Sequence, residues 1–120
     1  MPEVKIIDSF SAAHSLRNYK GKCEALHGHN WKVEIMIGRK KLDKNGMVMD
    51  FINLKKMTGG ILSRLDHGYL NELGYFKSRN PTSENIAEYI AGELKKKIRL
   101  PLILKEVRVW ETETNCAIWP

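Results

Sequence analysis

Cysteine is scarce: Cys23 and Cys116 are the only two in 120 residues. Two thiols make a poor disulfide framework, and in a chain without an export signal free thiols are expected over a bridge between them. No apolar run approaches the ~20 residues that a membrane span needs. Met1-Pro2-Glu3-Val4-Lys5 lacks the basic-then-apolar pattern of a signal peptide. The expectation is a cytoplasmic protein with no membrane partner. There is no internal repeat, no low-complexity segment, no RNP-type aromatic motif and no helix-turn-helix signature. The net charge of +6 therefore carries no nucleic-acid reading of its own. The local clusters Arg39-Lys40-Lys41, Lys55-Lys56 and Lys95-Lys96-Lys97 read as solvated faces. What remains, 42% hydrophobic and 28% charged residues, is the composition of an ordinary globular protein. Its length predicts one domain over residues 1–120.

Hydrophobic alternation predicts a first strand over Val4–Ala13, with Phe10, Ala12 and His14 on one face. Residues 15–26 read as loop. A second strand is predicted over 27–41, and Asn45-Gly46 marks a turn. Met47-Val48-Met49 reads as a short strand, followed by Asp50 as the cap of a helix running from Phe51 to about Leu65. Gly59 and Gly60 interrupt that helix, and close backbone packing would account for them. Asp66-His67-Gly68 ends the helix and residues 69–80 read as loop. Thr82 or Ser83 caps a second helix whose apolar stripe is Ile86, Tyr89, Ile90 and Leu94. Leu104–Glu111 alternates cleanly as a strand, and Asn115–Trp119 is the last. The order β-β-α-α-β-β predicts an α+β layer: a four-stranded antiparallel sheet with two helices on one face.

The stretch Cys23-Glu24-Ala25-Leu26-His27-Gly28-His29 carries the chemistry. Histidines two apart share one side of a strand, so His27 and His29 enter the second strand on the same face. His14, at the end of the first strand, is the third imidazole that a fold-back would bring alongside. Three imidazoles without a fourth protein ligand is the pattern of a catalytic zinc site. The plainer alternative is three ordinary polar residues. Cys23 stands open between a fourth, closing ligand, a proton-transfer group with a lowered pKa, and a small buried side chain. Asp66-His67 is either an oriented acid–imidazole pair or a helix C-cap. Glu111 is either an exposed strand-end charge or an acceptor for the two N–H groups of an amidine-like ring edge. Glu84 is explained by the helix start alone. Trp31, Trp110 and Trp119 read as core or interface.

In this order, His14, Cys23 with His27-Gly28-His29, Leu65-Asp66-His67, Pro81-Thr82-Ser83-Glu84-Asn85 and Trp110-Glu111-Thr112 resemble the 6-pyruvoyl tetrahydropterin synthase family, with its 6-carboxytetrahydropterin synthase branch. The likeness spans nearly the whole chain. It implies one T-fold pterin synthase domain, whose subunits join through their sheets, typically as a hexamer of two trimers with sites between subunits. It implies a Zn2+ cofactor on His14, His27 and His29. It makes Cys23 the catalytic base, Asp66 and His67 its partner pair, and Glu111 the anchor of the pterin ring. Thr82, Ser83 and Glu84 become further pterin-pocket residues. The implied substrate is 7,8-dihydroneopterin triphosphate, which the positive charge suits. The Cys-x3-His-Gly-His spacing resembles the queuosine-pathway carboxytetrahydropterin synthase. Glu24, directly after Cys23, resembles variants that cleave the side chain to 6-hydroxymethyl-7,8-dihydropterin for folate. Having both residues resembles the dual-function class. A pterin-binding T-fold without chemistry, and a basic nucleic-acid binder with a closed zinc site, are the remaining alternatives.

Overall fold

The computed structural model describes residues 1–18 and 25–120; Cys23 and Glu24 lie outside the described residues. The elements are β1 (Glu3–His14), β2 (His27–Arg39), α1 (Phe51–Leu62), β3 (Gly68–Tyr69), α2 (Ser83–Lys95), β4 (Leu102–Thr112) and β5 (Asn115–Trp119). Two short 3-10 turns, Leu70–Glu72 and Gly74–Phe76, join β3 to α2. The sheet order is β3-β1-β2-β4-β5.

Long alternating strands fix the register. β1 and β2 form one antiparallel hairpin from Glu3↔Gly38 to His14↔His27. β4 pairs with the other edge of β2, and β5 folds back on β4, both antiparallel. Every second residue turns to the same side, so Phe10, Trp31, Val33, Ile35, Val107 and Val109 make one buried face. Leu54 and Ile61 of α1 and Ile86, Ile90 and Leu94 of α2 complete the core above it. Each such side chain contributes roughly 1.5–3 kcal/mol by leaving water. Both helices therefore cover one face, as the element order predicts.

Four points of the sequence reading are corrected. The sheet has five strands and is mixed, because Gly68–Tyr69 pairs in parallel with Ala12–Ala13 of β1. Met47–Met49 is not a strand. Instead the Asp43 carboxylate accepts the N–H groups of Asn45 and Met47 at 2.8 and 3.0 Å and closes a turn there. The first helix ends at Leu62, with turns carrying the chain to His67. Gly59 and Gly60 have no neighbour within 4 Å of where a β-carbon would stand, so close packing does not explain them. Both predicted caps are present: Asp50 accepts from Ile52 N–H, and Thr82 from Asn85 N–H. Among the described residues, no helix is long and apolar enough to cross a membrane.

Candidate metal centre and substrate cleft

The last pair of the β1–β2 ladder, His14↔His27, lies at one end of the sheet. His29 follows two residues along β2, on the same face. The strand alternation that buries Phe10, Ala12 and Trp31 thus delivers three imidazoles to one spot. Trp31 forms the wall beneath them. Its ring meets His14 and His29 edge-on at centroid distances of 4.9 and 5.4 Å. Its indole N–H donates to the Ala12 carbonyl at 3.3 Å, tying the two strands together there.

Backbone carbonyls set the imidazole tautomers. His14 Nδ1 donates to the Pro81 carbonyl at 2.8 Å, and His27 Nδ1 donates to the Ala25 carbonyl at 2.9 Å. A carbonyl only accepts, so each proton sits on Nδ1 and each Nε2 presents its lone pair inward. Those two Nε2 atoms stand 3.0 Å apart. Two lone pairs at that separation repel unless a cation lies between them. Burial and the neighbouring imidazoles of His27 and His29 hold His14 below the ordinary histidine range, against the pull of the Pro81 carbonyl and Glu111. A neutral ring is the form that binds metal.

His29 Nε2 is buried and makes no hydrogen bond, though Glu111 Oε1 lies 3.3 Å away. The ligand atoms of His14, His27, His29 and Glu111 all fall within 4.8 Å of one another. Donors around a tetrahedral ion with bonds of ~2.0–2.1 Å stand about 3.3 Å apart. The oriented lone pairs, the orphaned Nε2 and the donor spacing together fit a bound divalent metal.

Glu111, expected as a strand-end charge or as the acceptor of a ring edge, also stands beside the three imidazoles. The β4 alternation holds the missed signal: Val107, Val109 and Glu111 share the buried face, so the carboxylate points where the histidines point. Its other oxygen is 3.5 Å from Ser83 Oγ. Glu111 also lines a cavity of about 270 Å³ with Ser83, Glu84, Asn115 and Cys116. Glu84 is exposed at the mouth of that cavity. Thr82 is committed to capping α2.

Asp66 and His67 are on the opposite side of the histidines. A second cavity, about 410 Å³, is lined by His29, Ser11, Asn30 and His67 and opens on the outer face of the sheet, to which the Ser11↔Asn30 and Ala13↔Gly28 pairs point. Asp66 uses one oxygen to accept the Ser11 backbone N–H at 2.8 Å and the other to meet His67 Nδ1 at 2.8 Å. His67 takes a left-handed backbone (φ 57°) and donates its own N–H to the Ser11 carbonyl at 2.6 Å. The pair is therefore both an oriented acid–imidazole couple and the turn that seats β3. The His67 ring is 83% exposed and lines this second cavity. Ser11 and Asn30, joined by a 2.7 Å hydrogen bond, were not anticipated as lining residues. Ordinary polar strand residues carry no sequence signal for that role.

Sheet, helix layer and histidine cluster together define an α+β protein with a metal-competent site at one end of its sheet. The family model for 6-pyruvoyl tetrahydropterin synthase matches residues 3–120, and the chain belongs to that family. A putative 6-carboxy-5,6,7,8-tetrahydropterin synthase of Archaeoglobus fulgidus is 45% identical over 114 residues, covering 95% of this chain and 91% of the relative. A dihydroneopterin monophosphate aldolase of Pyrococcus furiosus is 38% identical over 103 residues, covering 86% and 83%. The solved 6-pyruvoyl tetrahydropterin synthase of Caenorhabditis elegans superposes with a TM-score of 0.82 at 33% identity, covering 99% of this chain and 96% of that one.

Proposed function

We propose that this chain is a zinc-dependent, cytoplasmic lyase, formed by a single T-fold domain. It converts 7,8-dihydroneopterin triphosphate to 6-carboxy-5,6,7,8-tetrahydropterin, or to a product of the 6-pyruvoyl tetrahydropterin type. The observation that carries this reading is the convergence of three imidazoles, two of them tautomer-fixed by backbone carbonyls, in a chain of this family. The Archaeoglobus relative supports the carboxy product.

His14, His27 and His29 would hold the metal, and a bound zinc ion supplies Lewis acidity toward the hydroxyls of the pterin side chain. The chain's own residues do the rest. Pro81 and Ala25 keep protons on the outer imidazole nitrogens, so the inner ones stay free to ligate. Glu111 accepts two hydrogen bonds from the N–H edge of the pterin ring. Its place beside Ser83 and Glu84 in the smaller cavity supports this role over permanent metal ligation. Thr82 sets the start of α2 and thereby Ser83. Cys23 is assigned as the base that removes a carbon-bound proton. His67 is assigned as the group that returns a proton, its Nε2 directed outward because Asp66 holds Nδ1.

The sheet face away from the helices supports assembly. Ile7, Glu34, Arg108 and Ile118 form one row across it, and both isoleucines are exposed. We place this face between subunits, in a hexamer of two trimers with sites at the boundaries.

A second reading is favoured by the Pyrococcus aldolase relative. With Glu24 as an additional base, the enzyme would also release 6-hydroxymethyl-7,8-dihydropterin for folate synthesis. One experiment separates these. The zinc-loaded protein is incubated with dihydroneopterin triphosphate and the products are identified by mass spectrometry. 6-Carboxytetrahydropterin with acetaldehyde is the expected result and assigns the queuosine branch. 6-Hydroxymethyl-7,8-dihydropterin makes Glu24 a working base. Pterin binding without turnover overturns the enzyme reading and leaves a binding module.

A further inference from the structure

The chain leaves β1 at His14 through Ser15–Arg17, and two asparagine side chains hold that exit. Asn71 Oδ1 accepts the Ser15 N–H at 2.9 Å, and its Nδ2 donates to the Ser15 carbonyl at 2.8 Å. Asn80 repeats the pattern two residues on. Its Oδ1 accepts the Arg17 N–H at 2.7 Å and its Nδ2 donates to the Arg17 carbonyl at 3.1 Å. A carboxamide offers an acceptor and donors in the relation of a peptide group. Each asparagine therefore pairs with the exit segment as a neighbouring strand would. The Arg17 guanidinium closes the frame on the Asn71 and Arg79 carbonyls, at 3.0 and 3.1 Å.

Asn80 differs from Asn71 in what its own backbone does. Its carbonyl accepts both Asn85 Nδ2 at 2.8 Å and Thr82 N–H at 2.9 Å, which pins the turn that opens α2. The next carbonyl in the chain, that of Pro81, is the acceptor that fixes the His14 tautomer. The residue after that, Thr82, caps α2, and Ser83 then lines the cleft beside Glu111. One residue thus joins the strand exit behind a metal ligand, the carbonyl that orients the same ligand, and the helix start that shapes the smaller cavity.

We infer that Asn80 is a positioning residue for the reaction. Its side chain locks Arg17 to the 80–82 turn, so that the Pro81 carbonyl stays aligned on His14 Nδ1 and the metal-holding and substrate-lining halves of the site keep one geometry. The inference rests on the metal-centre reading above, and it assigns Asn80 no contact with metal or substrate. Loss of the lock frees the Pro81 carbonyl to drift, which weakens metal affinity and misplaces Ser83 together. Groups that hydrogen-bond to the outer nitrogen of a metal-ligating histidine typically contribute 10–100-fold in affinity. Asn80 acts one step further out, so about tenfold is expected.

The test compares the wild-type chain with Asn80→Ala, which loses both Arg17 bonds, and Asn80→Asp, which keeps the acceptor and loses the donor. Zinc affinity is measured by chelator competition. The histidine tautomers of the metal-free protein are read by long-range proton–nitrogen NMR. Weakened zinc binding is expected in the order Asp variant then Ala variant, with the His14 Nδ1–H signal broadened or lost and KM for the pterin substrate raised. If Asn80→Ala does not fold, Asn80→Asp carries the test alone. Wild-type zinc affinity and an unchanged His14 signal in a folded variant overturn the inference and leave Asn80 a stability residue. A wild-type chain that binds no zinc overturns the metal-centre reading instead, and with it the basis of this one.

Discussion

The histidine cluster and the Asp66–His67 turn are built in different ways. His14, His27 and His29 stand on the longest strands of the sheet, backed by the fully buried Trp31. Their positions follow from a continuous ladder, and carbonyls hold the outer nitrogens of His14 and His27. Asp66 and His67 stand on a turn, with a left-handed residue and a two-residue parallel strand as anchor. The first side is a rigid donor set, suited to holding an ion without rearrangement. The second leaves an imidazole in water, held at one nitrogen by one carboxylate, suited to taking up and releasing protons. Metal retention should therefore depend on the strand side alone, and proton transfer on the turn side.

The largest effect should come from breaking the strand side. His27→Ala or His29→Ala is expected to drop zinc from about one per chain to near zero, measured by elemental analysis of the purified protein. Turnover should fall on the order of 10³-fold, since a bound metal contributes several kcal/mol of charge stabilisation. The far-ultraviolet circular dichroism should not change, because both rings are only half-buried. Zinc retained in either variant would remove that histidine from the ligand set.

Breaking the turn side should separate the two functions. His67→Ala is expected to keep its zinc and its KM while kcat falls ~10²-fold, the lower end of general acid–base contributions. Simultaneous loss of metal would mean that the two sides are one mechanical unit. Glu111→Gln sharpens the comparison from the third wall. It should keep zinc and raise KM about 10-fold or more, the worth of a hydrogen bond to a charged acceptor. Loss of zinc in that variant would instead make Glu111 a ligand, in keeping with its 3.3 Å approach to His29.

The same contrast governs how much was legible in the sequence. Period-two alternation marks β1, β2, β4 and β5 to within two residues, and it puts three histidines and Glu111 on one face. Nothing periodic marks β3, since two residues have no period. Its pairing comes from the Asp66–Ser11 and His67–Ser11 bonds, between residues 55 and 56 positions apart. The Pro81 carbonyl that orients His14 lies 67 residues away in sequence and belongs to a loop, where no residue-type signal exists for a backbone acceptor. Met47–Met49 looked like a strand because its side chains are apolar. The Asp43 carboxylate captured the N–H group that a ladder would have needed. Charge was the least informative feature. Arg39 ends β2 away from the histidines, with Lys40 and Lys41 beyond it, and Lys95 ends α2 away from Ser83, with Lys96 and Lys97 beyond it. The lysines of both clusters are exposed, as a solvated face requires.

The smallest expected effect isolates the anchor of the turn side. The Ser11 backbone N–H, and after it His67, hold the Asp66 carboxyl below the ordinary carboxylate range, outweighing partial desolvation. A carboxylate whose folded pKa is lowered contributes stability that is fully present above its unfolded pKa, about 3.9. That contribution is lost as the pH falls through the lower folded value. Asp66→Asn keeps an oxygen for Ser11 N–H but cannot ionise. Its melting temperature should lie slightly below that of the wild type at pH 7, and the gap should close between about pH 4 and the folded pKa. Circular dichroism melts of both proteins over pH 7 to 3 measure it. A gap that stays constant with pH would mean that Asp66 steadies the turn by hydrogen bonding alone. The His67 ring would then be oriented by its left-handed backbone rather than by the charge beside it.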